Sequence, residues 1–431
     1  MGILLPQIPA NWGTCSPVAA ERGDGMFLGV FSRLKALARR ASVMAAFMAS
    51  VLTGCAGQSG PQFGPIFGDE SQGPLQQTQA PIGNPAGVRV GLILPLSATG
   101  NAGAAAQSMR NAAELALAEF ANPNIQLIVK DDGGNAHGAQ VATEQLLTEG
   151  AEIVLGPLFS HSVAAAGQST RNRGVPMIAF STDANVAARG VYLLSFLPET
   201  DVERVVRYAI ANGRKSFIAL LPDNAYGTVV EGTLKQVVAA RGGRIVALEH
   251  YPSDPARMAD TVRKVAAAAR QADAVFIADA ADATPQVVQL LASNGVSPRR
   301  LKFVGTGLWD DPKLFSNQNM AGAWFAAPDA SGFRNFAVRY RARFGAEPAR
   351  TASLAYDAVS LVAALVKTQG ANRFSEEILA NPSGFAGTDG VFRFRNDGTS
   401  ERGLAIMEIH GGSARVVNPA PRSFANPALS N

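Results

Sequence analysis

The residues of this 431-residue chain that could do chemistry are hydroxyls, carboxylates and a few aromatic rings, each just beyond a short apolar run. Ser97 closes the run at residues 88–96, and Ser160 follows 152–155. Ser181, Thr182 and Asp183 follow 176–180. Tyr226 follows 216–221, Asp279 follows 274–278, and Trp309 follows 301–304. Such groups suit hydrogen bonding to a small polar molecule better than bond breaking. The sequence holds no Gly-x-Ser-x-Gly, no Gly-x-x-x-x-Gly-Lys-Ser/Thr and no Gly-x-Gly-x-x-Gly; Gly305-Thr306-Gly307 lacks the third glycine. His137, His161, His250 and His410 are far apart, and the two cysteines, Cys15 and Cys55, precede the patterned part of the chain. No metal site, cofactor or disulfide is therefore expected, and an enzyme is disfavoured.

The elements that must position these residues are legible from periodicity. Strands are expected over 88–96, 125–130, 152–155 and 176–180, with helices over 102–120, 138–149 and 162–173 between them. The alternation resumes with a helix over 202–211, strands over 216–221, 244–250, 274–278 and 301–304, and helices over 228–241, 258–270 and 285–293. Strand and helix alternating without long polar gaps imply an α/β fold with two doubly wound parallel-sheet lobes. In such sheets a ligand sits beyond the carboxyl ends of the strands, where these side chains fall.

In the segment Gly156-Pro157-Leu158-Phe159-Ser160 a strand ends, the chain turns, and Ser160 is expected at the cap of the next helix. Backbone N–H groups and a hydroxyl would form a cradle for an anion or carboxylate, unless Ser160 is a helix cap and nothing more. Ser181 and Thr182 equally suit a ligand or a turn. Asp131 and Asp132 precede two glycines and read as turn residues rather than an acid pair.

Taken in order, Pro95-Leu96-Ser97-Ala98-Thr99-Gly100, Asp131-Asp132-Gly133-Gly134, the 156–160 segment and Ser181-Thr182-Asp183 resemble the type I periplasmic binding proteins, the leucine/isoleucine/valine-binding family. Tyr356-Asp357-Ala358 and the run GTDGVFRF at 387–394 extend the resemblance over 88–410. It implies a hinged cleft between a first lobe, about 88–197 and 328–380, and a second, about 198–327 and 381–410, with crossings near Pro198, Pro328 and Phe385. Ser97, Ser160, Ser181, Thr182 and Asp183 would meet the ligand from the first lobe. Tyr226, Asp279 and Trp309 would meet it from the second, unless they serve in packing. Amino-acid binders of the family usually carry a threonine at the position of Asp183, an aromatic residue near Ala280 and an acid near Gly307. Either Asp183 replaces the missing acid, or the amino-acid site is gone.

Leu52-Thr53-Gly54-Cys55 resembles the lipobox of bacterial lipoproteins, behind Arg33, Lys35, Arg39, Arg40 and an uncharged apolar run at 41–52. This implies a signal peptide over 1–54, with Met26 an alternative start, and a lipidated Cys55. The mature protein would be periplasmic and membrane-tethered. Ala56 in place of an aspartate points, as in enterobacteria, to the outer membrane. Residues 56–87, rich in Gln, Gly and Pro, read as a tether spanning about 30 Å, and 411–431 as a disordered tail. Beyond residue 54, 33 of the 38 Lys and Arg face 32 of the 34 Asp and Glu, so the basic balance of the full chain supplies no case for nucleic acid.

Two partners follow from these resemblances. One is an ABC permease, served by a protein that binds a small polar, amino-acid-like ligand. The other is a penicillin-binding peptidoglycan synthase, because 92–100 (LILPLSATG) and Gly156-Pro157-Leu158 are also similar to the lipoproteins that activate such enzymes.

Overall fold

The computed structural model describes residues 82–84 and 86–424. The expected signal peptide, lipobox and most of the tether lie outside those residues.

The chain first builds β1 (Ile82–Gly83), β2 (Val88–Leu94), α1 (Gly100–Glu119), β3 (Ile125–Asp131), α2 (Ala136–Thr148), β4 (Ile153–Leu155), α3 (Ser160–Asn172), β5 (Met177–Ala179) and β6 (Val191–Leu193). These strands form one sheet in the order β1-β3-β2-β4-β5-β6, parallel except for β1. Buried on both faces, β2 reads VRVGLIL rather than alternating. Its Gly91 lets α2 pack closely: a Cβ there would lie 2.5 Å from the Leu146 side chain, which would have to shift.

A second lobe follows: α4 (Pro198–Ala211), β7 (Ser216–Pro222), α5 (Ala225–Ala240), β8 (Arg244–Tyr251), α6 (Pro255–Ala267), β9 (Ala274–Ile277), α7 (Thr284–Ser293), β10 (Lys302–Gly305), α8 (Pro312–Phe315) and β11 (Trp324–Ala327). α4 opens with Pro198 in its first turn and carries Glu199 and Asp201 there, as a helix N-terminus favours. The chain then returns to the first lobe with α9 (Ala330–Phe344), α10 (Ala352–Thr368), α11 (Glu376–Leu379), β12 (Phe385–Gly387), β13 (Gly390–Phe394) and β14 (Ser400–Arg402). It ends in the second with β15 (Ala405–His410) and β16 (Ser413–Asn418). The second sheet runs β16-β15-β11-β10-β9-β7-β8.

The architecture is the doubly wound, two-lobed α/β arrangement expected, and three boundaries differ. Residues 385–402 were expected in the second lobe, but β12, β13 and β14 form their own small sheet, whose Phe392 and Phe394 enter the first lobe's core beside Tyr192 and Leu354. The third crossing therefore falls at Gly403 and Leu404, not at Phe385. Residues 413–418 are a strand, not a disordered tail. Gly411 and Gly412, at φ 57° and 78°, form a two-residue turn that folds β16 back on β15. β1 likewise adds an ordered antiparallel edge within the segment read as tether.

The chain leaves the first sheet at the carboxyl end of β6 and the second at the carboxyl end of β11. Both crossings thus lie at the strand ends where ligand loops belong, and those ends of the two lobes face each other.

Candidate functional site

On the first lobe, the loops after β2, β3 and β4 are bound into one surface. Asp131 Oδ1 accepts the backbone N–H of Ser97 at 3.2 Å and of Gly133 at 2.9 Å, while Asp132 Oδ1 accepts that of Gly134 at 2.9 Å. Both aspartates thus hold a turn. Asp132 is 1% exposed, and burial pushes its carboxyl above the ordinary value. His161 Nε2 lies 3.0 Å from the Gly134 carbonyl and stacks on Phe159. Ser97 is exposed and Ser160 half-buried on this surface.

Ser160 does not cap α3. It is the first helical residue; Phe159 holds the cap position and makes no side-chain capping bond. The first N–H groups of a helix have no intrahelical acceptor. The α3 N-terminus therefore presents backbone donors, with the Ser160 hydroxyl among them.

After β5, local bonds claim the predicted groups. Ser181, 3% exposed, accepts the Asp183 N–H at 3.1 Å, and Asp183 Oδ1 accepts from the Asn185 backbone and side chain at 3.0 and 2.9 Å. Thr182 is exposed.

The second lobe gathers phenols and acids at the ends of β7, β8, β9 and β10. Tyr226, in the first turn of α5, places its hydroxyl 2.8 Å from Thr306 Oγ1, and burial raises its phenol far above the ordinary value. Tyr251, at the end of β8, donates to Asp279 Oδ2 at 2.6 Å; burial and then the Asp279 charge raise its phenol as well. Asp279 Oδ1 accepts the Ala280 N–H at 2.7 Å. Asp201 accepts the Gly307 N–H at 2.9 Å, and burial pushes its carboxyl up to about 7. An acid thus stands beside Gly307 after all, contributed by α4 rather than by the local sequence.

Trp309 does not cover the cleft. It is fully buried in the second lobe's core with Phe303 and Phe325, because the turn after β10 folds its indole back over Gly305. Periodicity identified the strand end but not the side to which the following turn would point. Sequence reasoning also missed Tyr251, Thr306 and Asp201. Tyr251 stands one residue past the expected strand, and Thr306 was noted only as part of an incomplete glycine motif.

Among the described residues no group of three or more His, Cys, Asp or Glu could hold a metal ion, and no helix is long and apolar enough to cross a membrane.

Comparison with known proteins agrees with this geometry. A protein of Rhodospirillum rubrum proposed to be a branched-chain amino acid ABC transporter superposes with a TM-score of 0.69 at 22% identity, covering 77% of this chain and 100% of that one. A solute-binding protein of an ABC transporter from Rhodopseudomonas palustris, in complex with 3,4-dihydroxybenzoic acid, gives 0.59 at 20% identity, covering 80% and 99%. A branched-chain amino acid transporter substrate-binding protein of Streptococcus pneumoniae, in complex with isoleucine, gives 0.54 at 20%, covering 77% and 100%. At these identities the likeness is one of fold, the type I periplasmic binding fold. Among curated proteins, an uncharacterized protein of Rickettsia prowazekii is 21% identical over 159 residues, 37% of this chain and 41% of its own length. The model of the periplasmic binding protein family matches residues 87–414. With two doubly wound lobes whose strand ends face one another across three crossings, this chain belongs to the periplasmic binding protein family, a family of binding proteins rather than enzymes.

Proposed function

We propose that the protein is an extracytoplasmic, lipid-anchored solute-binding component of an ABC importer, closing its lobes on a small polar carboxylic acid of the amino-acid type. The observation that carries this reading is the uncapped N-terminus of α3 beside Ser97 and Ser160, on the surface that ends the first lobe's strands. Backbone donors at a helix N-terminus favour a carboxylate. Isoleucine and 3,4-dihydroxybenzoic acid, bound by two relatives of like fold, share that group. On the opposite lobe Asp279 and Tyr226 supply acceptors for an ammonium or hydroxyl. Closure is a rotation about the three crossings. Cys55 would anchor the mature chain through lipid, and the segment before β2 would let the lobes stand clear of the membrane.

The test is a panel of amino acids and aromatic acids, followed by melting temperature and calorimetry. A true ligand raises the melting temperature by mass action. Asp279→Asn then weakens it by roughly 10- to 150-fold, the loss of one hydrogen bond to a charged group.

The engagement of Ser181 and Asp183 in their own turn, and the burial of Trp309, favour a second reading: the same fold acting as activator of a peptidoglycan synthase. If no panel member binds, while the protein binds such a synthase and raises its rate, the transport reading falls and this one replaces it.

A further inference from the structure

A cavity of about 190 Å³ lies between α4, strands β13 and β14, and the segment after β16, lined by Arg204, Arg207, Arg393, Glu401, Arg402 and Asn418 among others. None of the cleft residues described above contributes to it.

One of its guanidinium groups is withdrawn from water and a second is half-buried. Arg402 is 6% exposed, and its Nε and Nη2 have no hydrogen-bond partner among the described residues. Its Nη1 reaches only the Asp389 carbonyl oxygen, at 3.5 Å, and the rings of Phe196 and Phe392 lie 5.0 and 5.6 Å away. The acids around Arg402 offset its charge without bonding its free donors: both Asp389 carboxylate oxygens are held by Arg350 and Ser353, Asp201 Oδ2 by Gly307, and Asp357 Oδ1 by the Thr388 N–H at 2.7 Å, while Asp357 Oδ2 has no hydrogen-bond partner among the described residues. Arg204 donates from Nε to the Leu404 carbonyl at 2.8 Å and from Nη2 to Asn418 Oδ1. Neither bond neutralises its charge. The cavity's two carboxylates are already paired, Glu401 with Arg393 at 2.7 Å and Glu203 with Arg207 at 3.6 Å. A buried guanidinium whose donors lack acceptors is costly, and the guanidinium fork matches the oxygens of a phosphate or carboxylate.

We propose that this cavity is a second binding site, taking a small oxyanion between Arg402 and Arg204. Arg402 ends β14 on the first lobe and Arg204 lies on α4 of the second, so an occupant touches both lobes beside the third crossing. Its affinity is linked to their relative orientation, and through it to the cleft.

Inorganic phosphate and succinate are the probes, titrated into the intact protein at constant ionic strength, with chloride as control and calorimetry and melting temperature as readouts. The expected result is saturable binding of at least one probe and a rise in melting temperature that chloride does not reproduce. Arg204→Gln weakens this binding by about 10-fold or more, Arg402→Gln abolishes it, and Asp279→Asn in the cleft leaves it unchanged. If Arg402→Gln does not fold, Arg204→Gln and Arg207→Gln decide. Absence of saturable binding at millimolar concentrations of both anions overturns the proposal, as does binding that both of those variants leave intact. Because Asp279→Asn reports on the cleft alone, failure of this site and failure of the cleft reading are separable.

Discussion

Asp389 accepts both arms of the Arg350 guanidinium, Nη2 to Oδ1 at 2.6 Å and Nη1 to Oδ2 at 2.9 Å, and the Ser353 hydroxyl at 2.7 Å. Asp389 sits in the β12–β13 turn and is fully buried, whereas Arg350 precedes α10 and lies over the rings of Phe196 and Phe333 at 4.5 and 4.4 Å. Phe196 belongs to the first crossing and Phe333 to the helix entered from the second. One ion pair therefore ties the small sheet to the hinge.

Replacing Arg350 with Met should destabilise the protein by about 2–4 kcal/mol, because a buried carboxylate loses its counter-charge. The cost is below that of a fully buried pair, since the Arg350 side chain keeps 41% exposure. Burial would raise the Asp389 carboxyl, but the bonds from Arg350, its charge, the charge of Arg402 and the Ser353 hydroxyl outweigh this and hold it below the ordinary range. Its stabilising contribution is thus present above the unfolded-state value near 3.9 and is lost as pH falls through the lower folded-state value. Urea unfolding of wild type and variant should differ fully at pH 7 and converge below about pH 4. A gap independent of pH would show that Arg350 acts by packing alone.

Asp201 should show the opposite dependence. Its carboxyl is raised by burial to about 7, so the folded state holds a proton that the unfolded state releases near 3.9. Stability from this group is greatest at low pH and falls as pH rises from about 4 to 7. Asp201→Asn keeps an acceptor for the Gly307 N–H and removes the ionisation. The variant should gain on wild type across that window, by an amount on the order of a few kcal/mol at pH 8. Equal melting temperatures at pH 5 and pH 8 would refute the buried titration.

Gly305→Ala should be among the more damaging small substitutions. The added Cβ would meet the Trp309 ring atoms at 2.3 Å, and the indole has no free space to enter because it is fully buried. Overpacking of this kind costs about 1–3 kcal/mol. A red-shifted tryptophan emission, reporting indole displaced toward water, accompanies it. Unchanged emission and stability would place Trp309 outside the core.

Because residues 52–55 resemble a lipobox, Cys55→Ser should release the protein from membranes or leave its precursor uncleaved. Membrane fractionation with mass spectrometry of the mature N-terminus checks this. An unmodified Cys55 in a chain that still sediments with membranes contradicts the anchor.

Periodicity by itself determined the two-lobed α/β class and most of its elements. The run at 88–94 is apolar because β2 is covered on both faces, and the helical spacing at 100–119 persists because α1 buries one side, including Met109, Ala113 and Leu117, in the same core. Loop positions followed as well, since strand ends carry ligand residues wherever parallel sheets are built. Tertiary structure alone decided what each loop side chain touches. Ser181 and Trp309 both stand one or a few residues past a strand, yet one is held in a turn and the other folds beneath a glycine. Asp201 reaches Gly307 across 106 residues, and Phe392 leaves the second lobe for the first. Hydrophobic period is a local property of the chain, readable over a dozen residues. The partners of a buried carboxylate or guanidinium depend on which distant segments the crossings bring together, and no local pattern encodes that.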